Sequence, residues 1–200
     1  LYDQALLETT PPGAAALPGA TDMALGLCGL ALERYDRQAA ERFLQQSLAS
    51  GESAGLPGWA YQLRLRQASL GEAVGDLEGA LGHLQEAERL YFPTAVPEMR
   101  PVAARRACVW IKQGRVDEAL DWAKKAGLKP DDSLSYPREF EHVTLSRGLL
   151  ATGLLRRDAA VLQEGAELLD RLAQAAEAGS RARSLIEILA LRALALQALN

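Results

Sequence analysis

Two histidines, two cysteines and a scatter of arginines are the residues in this 200-residue chain best suited to chemistry. His83 and His142 lie far apart, and neither has a second histidine at a spacing that would let two imidazoles share a metal. Glu141 and His142 are neighbours, but adjacent residues on a helix point about 100° apart, so they do not form an acid–base pair on one face. No GxxxxGK[ST] phosphate loop occurs, and a nucleophile elbow is not expected. Cys28 and Cys108 stand alone. Arg105 and Arg106 beside Cys108 would favour its thiolate, although an inert buried thiol is the plainer reading. The chain therefore reads as non-enzymatic, with no metal and no cofactor, and its arginines point to recognition instead.

Side chains that recognise a partner must be held on a frame, and here the frame is written as a repeat. GDLEGALGHLQEA (residues 75–87) and GRVDEALDWAKKA (residues 114–126) match at Gly75 and Gly114, Ala80 and Ala119, and Ala87 and Ala126, each pair 39 residues apart. Such a period marks stacked helical hairpins, none of which can bury its own apolar face. Gly75 suits the left-handed close of one helix, and Asp76 is placed to cap the next. Leu77, Ala80, Leu81, Leu84, Ala87 and Tyr91 then follow at helical spacing, with the small Ala80 and Ala87 admitting a close partner.

The same signals predict helices over 21–34 and 37–49 (capped by Asp36), 59–74, 102–113 and 116–126 (turning at Gly114), 138–155, 161–178 and 182–199. Residues 156–160 replace the glycine turn of the fourth hairpin. With Ala166 set against Ala119 that repeat steps by 47 residues, which implies an insertion, whereas Ala40 to Ala80 is 40. Proline and glycine mark loops at 9–20, 50–58, 91–101 and 128–137, and Tyr91, Phe92 and Pro93 read as a plug over a hairpin's end. Period-two alternation is absent. The expected fold is all-α: an α–α superhelix of about four hairpins (21–52, 59–92, 99–128 and 138–178) and a half repeat at 182–200. Residues 1–20 read as the end of a preceding helix and a loop, and the whole as a fragment of a longer protein.

A net charge of −4 lacks the electrostatic footprint of nucleic-acid binding. No leader is visible, and the apolar run 185–199 is too short to span a bilayer and is interrupted by Glu187 and Arg192. Isolated thiols suit a reducing compartment. These features predict a cytoplasmic protein with no membrane contact. Leu185, Ile188, Leu189, Leu191, Leu194 and Leu196 cover more than one face of the last helix, so self-association through it is expected.

Ala68, Gly75, Ala80, Leu84 and Ala87 follow the small, Gly, Ala, apolar, Ala order of the tetratricopeptide repeat. Ala107, Gly114, Ala119, Ala123 and Ala126 repeat it, Cys28, Tyr35, Ala40, Leu44 and Ser47 follow it loosely, and the fourth repeat is degenerate. The repeats exceed the usual length of about 34 residues. With the loop-bearing stretches 87–93 and 131–147, the chain from Gly26 to Gln197 resembles the MalT-like helical repeat region of large LuxR-type transcriptional regulators.

That resemblance implies an ATPase before this segment and a C-terminal helix-turn-helix domain after it, which alone would contact DNA. For the segment itself it implies sensing of a small-molecule inducer or a partner protein. In such a solenoid the first helix of each hairpin lines a groove. The implied binding residues are Arg66 and Ser69, then Arg105, Cys108 and Lys112, then Arg147, and Glu187 if Ala193 takes the small position. Arg66, Arg105, Lys112 and Arg147 would make a cationic stripe for a carboxylate, phosphate or acidic peptide. Alternatively they pair with Glu72, Glu139 or Glu141. Trp59, Tyr61, Trp110 and Trp122 could stack on a sugar, as in the carbohydrate sensing of one branch of the family, or pack between helices. The alternative function is a tetratricopeptide scaffold or adaptor that holds peptides or proteins in the same groove.

Overall fold

The computed structural model describes residues 19–51, 55–91 and 98–199. The chain divides into two compact units, Leu1–Thr94 and Ala95–Asn200. Among the described residues the first holds α1 (Ala20–Glu33), α2 (Arg37–Ser50), α3 (Trp59–Val74) and α4 (Leu77–Arg89). The second holds α5 (Val102–Lys112), α6 (Val116–Lys125), α7 (Glu139–Arg156), α8 (Ala159–Ala178) and α9 (Ala182–Leu199), with a 3-10 turn at Tyr136–Arg138. No strand occurs among the described residues. The helix expected in residues 1–8, and Phe92 and Pro93 of the expected plug, lie outside them.

Packing follows the hairpin logic. α3 contacts its partner α4 and both helices of the hairpin before it, α1 and α2. In the second unit α7 likewise contacts α5, α6 and α8, and α9 contacts α7 and α8. α7 is thereby enclosed on most sides, which raises the question of its polar residues. Thr144, Ser146 and Thr152 answer it by donating to the carbonyls of Phe140, His142 and Gly148 one turn back, at 2.8, 3.1 and 2.8 Å. α9 instead leaves Ile186, Leu189, Leu194 and Leu196 exposed.

The four hairpins among the described residues turn by one device. Tyr35, Gly75, Gly114 and Arg157 adopt left-handed φ values of 59, 83, 76 and 55°. The next amide in each case (Asp36, Asp76, Arg115, Asp158) donates to the carbonyl five residues back (Ala31, Gly71, Trp110, Gly153), always at 2.9 Å. This is the long bond of a Schellman close. Asp36, Asp76 and Asp158 then cap the following helix, accepting from Ala39, Gly79, and both Ala160 and Val161. Arg115 supplies no such cap.

The shared turn corrects the register expected for the fourth hairpin. Counted from the left-handed residue, Ala40, Ala80 and Ala119 correspond to Leu162, and Ala166 corresponds to Leu84 and Ala123. The step from Gly114 to Arg157 is 43 residues rather than 47. A leucine fits where alanine stands elsewhere because Gly153 faces it: a Cβ on Gly153 would meet the Leu162 Cγ at 2.6 Å. Gly71, at the same place in the second hairpin, faces Ala80 instead, so the fourth hairpin differs in setting a leucine opposite its glycine, and the alanine signature is lost there.

Tyr35 is 96% exposed, so its side chain contributes little to offset the left-handed backbone. Tyr35→Gly is expected to stabilise the first unit by about 0.5–1 kcal/mol, the relief of αL strain less the flexibility of glycine. Urea unfolding checks this, and a lowered midpoint at unchanged slope would contradict it.

Candidate functional site

The second unit brings three of the seven expected binding residues together. Cys108 on α5, Arg147 on α7 and Glu187 on α9 form a line across the first helices of successive hairpins. The Thr144 hydroxyl gives its proton to the Phe140 carbonyl, so the Cys108 thiol donates to Thr144 Oγ1, 3.3 Å away. Arg147 Nη1 donates to Cys108 Sγ at 3.5 Å, while its Nη2 pairs with Glu187. Both side chains of that pair remain partly exposed, so its own worth is about 0–1 kcal/mol. Arg105 and Lys112 share the helix face of Cys108, Arg105 half-buried and Lys112 exposed.

Arg66 and Ser69 belong to the first unit. The Arg66 guanidinium lies across Gly29, where a Cβ would sit 2.9 Å from its Cζ. Gly29 and Cys108 occupy the same place, six residues before their left-handed turns, so each unit lays an arginine of a later hairpin over that position. Arg66 Nε is buried with no hydrogen-bond partner among the described residues. Ser69 donates to the Leu65 carbonyl at 3.1 Å. Neighbouring Cys28 is fully buried, which pushes its thiol pKa up, with the Arg66 charge pulling the other way.

The ion pairs differ in part from those anticipated. Arg147 takes Glu187, while Glu139 is held by Arg181 and Glu141 by Arg138. Trp59 packs within the core and donates through Nε1 to the buried Ser47 hydroxyl at 3.0 Å. Tyr61 is buried and packs at right angles to the Tyr91 ring, centroids 5.7 Å apart. Trp110 carries Arg106 at 5.0 Å and Arg115 at 5.9 Å from its ring, and Trp122 packs against the core of the second unit. The four aromatics are thus engaged by protein groups.

Residues 51–55 read GESAG, a literal match to G-x-S-x-G that the expectation of no nucleophile elbow overlooks. The elbow requires a strand leading into the serine. Gly51 instead follows α2 and Gly55 precedes α3, so the helix-to-helix setting gives no such context.

Near the N-terminal ends of α5, α7 and α9 lies a cavity of about 360 Å³, whose wall includes Arg100, Tyr136, Glu139, Phe140, Arg181 and Glu187. Arg181 donates to Glu139 Oε2 through Nε at 2.8 Å and Nη2 at 2.7 Å, reaches the Ala175 carbonyl at 2.8 Å, and lies 5.2 Å from the Tyr136 ring centroid. Arg100 lies 4.9 Å from the Phe140 ring centroid. Arg100 and Arg181 were not among the expected site residues. The signal that finds the cross-hairpin pairs is the repeat length itself: Cys108–Arg147, Arg147–Glu187 and Glu139–Arg181 are 39, 40 and 42 residues apart.

The loop leading to this cavity is pinned from three sides. Arg171 donates to the Pro130 and Asp132 carbonyls, and Arg138 to that of Ala126 at 3.0 Å. The Asp132 carboxylate accepts from the Lys129 amide at 2.9 Å and lies 3.4 Å from Nε2 of buried His142, whose Nδ1 donates to the Arg138 carbonyl. The Lys129 amide holds the Asp132 pKa below its ordinary value; partial burial opposes this, and His142 and Arg138 reinforce it. With the folded value below the unfolded one, the contribution is complete at neutral pH. It is lost as pH falls from the usual aspartate value of about 4 through the lowered one. Asp132→Asn is expected to lose stability at neutral pH and to flatten the acid limb of stability. Urea midpoints across pH test this, and an acid limb unchanged by the substitution would count against it.

Helical hairpins that close by one turn and rest on both helices of the preceding hairpin define a tetratricopeptide-type repeat protein. Within that class the chain belongs to the MalT-like TPR region, which it matches across residues 1–200. No curated protein and no solved structure matches it. Among the described residues no helix is long and apolar enough to cross a membrane.

Proposed function

We propose that this chain is the sensing segment of a LuxR-type transcriptional regulator in the cytoplasm. It binds an inducer and relays occupancy, has no turnover of its own, and leaves DNA contact to a separate C-terminal domain. The observation that carries this reading is the cavity at the ends of three first helices, directly beside the Cys108–Arg147–Glu187 line. Its volume of about 360 Å³ falls in the range of small-molecule sites. Occupancy there would bear on α5, α7 and α9 together, which supplies a route from ligand to helix packing.

Thermal melting of the chain across a metabolite panel tests the reading. A ligand at a hundredfold excess over its Kd adds about 2.7 kcal/mol to stability and raises the Tm accordingly. A panel that leaves Tm unchanged while a protein partner co-purifies would replace inducer sensing by the scaffold reading. One observation favours that second reading: the exposed row Ile186, Leu189 and Leu194 on α9, which suits contact with another protein.

A further inference from the structure

Resting on the sensing reading, we infer that the α5–α7–α9 cavity takes a small organic anion, a carboxylate or phosphate ester with an apolar body. Three arginines (Arg100, Arg181 and Arg183) and two glutamates (Glu139 and Glu187) line it. The carboxylates are already engaged, Glu139 by Arg181 and Glu187 by Arg147 from outside the lining. The lining is thus net cationic in a chain whose overall charge is −4.

Arg100 is the group with capacity to spare. It is exposed, rests on Phe140, and makes no ion pair among the described residues. Contact with the ring face positions the guanidinium, and with no ion pair among the described residues its N–H fork can bind an oxyanion through two parallel hydrogen bonds. The helix ends add to this. Met99 and Arg100 directly precede α5, Glu139 and Phe140 open α7, and Ala182 to Ser184 open α9, so three helix N-termini lie at one cavity. Pro101 and Arg138 provide no side-chain cap to α5 or α7. Partial positive charge from the helix dipoles therefore favours an anion in the same place as the arginines do. Met99, Phe140 and Val143 supply the apolar wall, which an inorganic ion would leave unused.

Calorimetry with phenyl phosphate, benzoate, inorganic phosphate and neutral benzyl alcohol, on the chain and on R100Q and R183Q, tests the assignment. Phenyl phosphate or benzoate is expected to bind, with the ester favoured if phosphate is the natural head group and benzoate if carboxylate is. R100Q is expected to weaken that binding about tenfold or more, the loss of a charge-assisted hydrogen-bonded contact. Arg100 and Arg183 are exposed, so both variants should keep the parent melting temperature, which confirms their folding. Four results would overturn the inference: no binding of either aromatic anion, equal binding of benzyl alcohol, inorganic phosphate binding as tightly as phenyl phosphate, or binding that neither variant weakens. If a neutral metabolite binds this cavity and the anions do not, anion selectivity falls while the sensing reading stands. If neither these probes nor the metabolite panel binds to folded chain, both fall.

Discussion

Arg181→Ala is expected to cost the second unit about 3–5 kcal/mol, because it strands a buried charge. The Glu139 side chain is 9% exposed, and the Arg181 guanidinium meets it through two nitrogens at 2.8 and 2.7 Å. Without that partner the carboxylate keeps the cost of leaving water and loses the attraction that offsets it. The same substitution removes the bond to the Ala175 carbonyl and the stack on Tyr136. Adding Glu139→Gln to Arg181→Ala should recover a large share of the loss, since a neutral amide is cheaper to bury than an unpaired carboxylate. Urea unfolding of the single and double variants decides the matter. A single-variant loss below about 1 kcal/mol, the range of exposed pairs, would mean that solvent already screens the contact.

Leu169→Ala is expected to cost about 3–5 kcal/mol by a different mechanism, removal of packed volume. Leu169 on α8 is fully buried, in a core cluster with Leu145, Leu149, Leu172 and Ile188 drawn from α7, α8 and α9. Three helices converge there, and each is held elsewhere along its length. None can close over the void without giving up other contacts, so little of the lost volume should be recovered by relaxation. Hydrogen exchange in α7, α8 and α9, together with the urea midpoint, would register the loss. A cost below about 2 kcal/mol would show that the core repacks around alanine.

The sequence was most legible where backbone geometry restricts residue choice. Gly75 and Gly114 at left-handed turns, and Asp36 and Asp76 at caps, each have a conformational reason to be what they are. Periodic apolar residues between those markers then located the helices. Arg157 carries no such label, because its left-handed backbone is imposed by the hairpin and not preferred by arginine. The register of the fourth repeat slipped for the same reason, with Leu162 hidden behind an expected alanine. Of the expected site, Cys108, Arg147 and Glu187 converge, whereas Arg66 and Ser69 lie in the other compact unit. Pair partners were harder to read than positions. Choosing among Glu72, Glu139, Glu141 and Glu187 for one arginine depends on side-chain reach across hairpins, a few ångströms that periodicity does not encode.

The recurrent turn has a consequence for how such a chain can change. Since the five-residue hydrogen bond that folds each hairpin lies within that hairpin, the bend is specified by its own residues and not by its neighbours. Duplication or deletion of one such module would alter how many are strung together while preserving the bend in every survivor. Mutational drift is then freest at the contacts between modules. Novel ligand preferences can accumulate along that seam without disturbing how any single module folds.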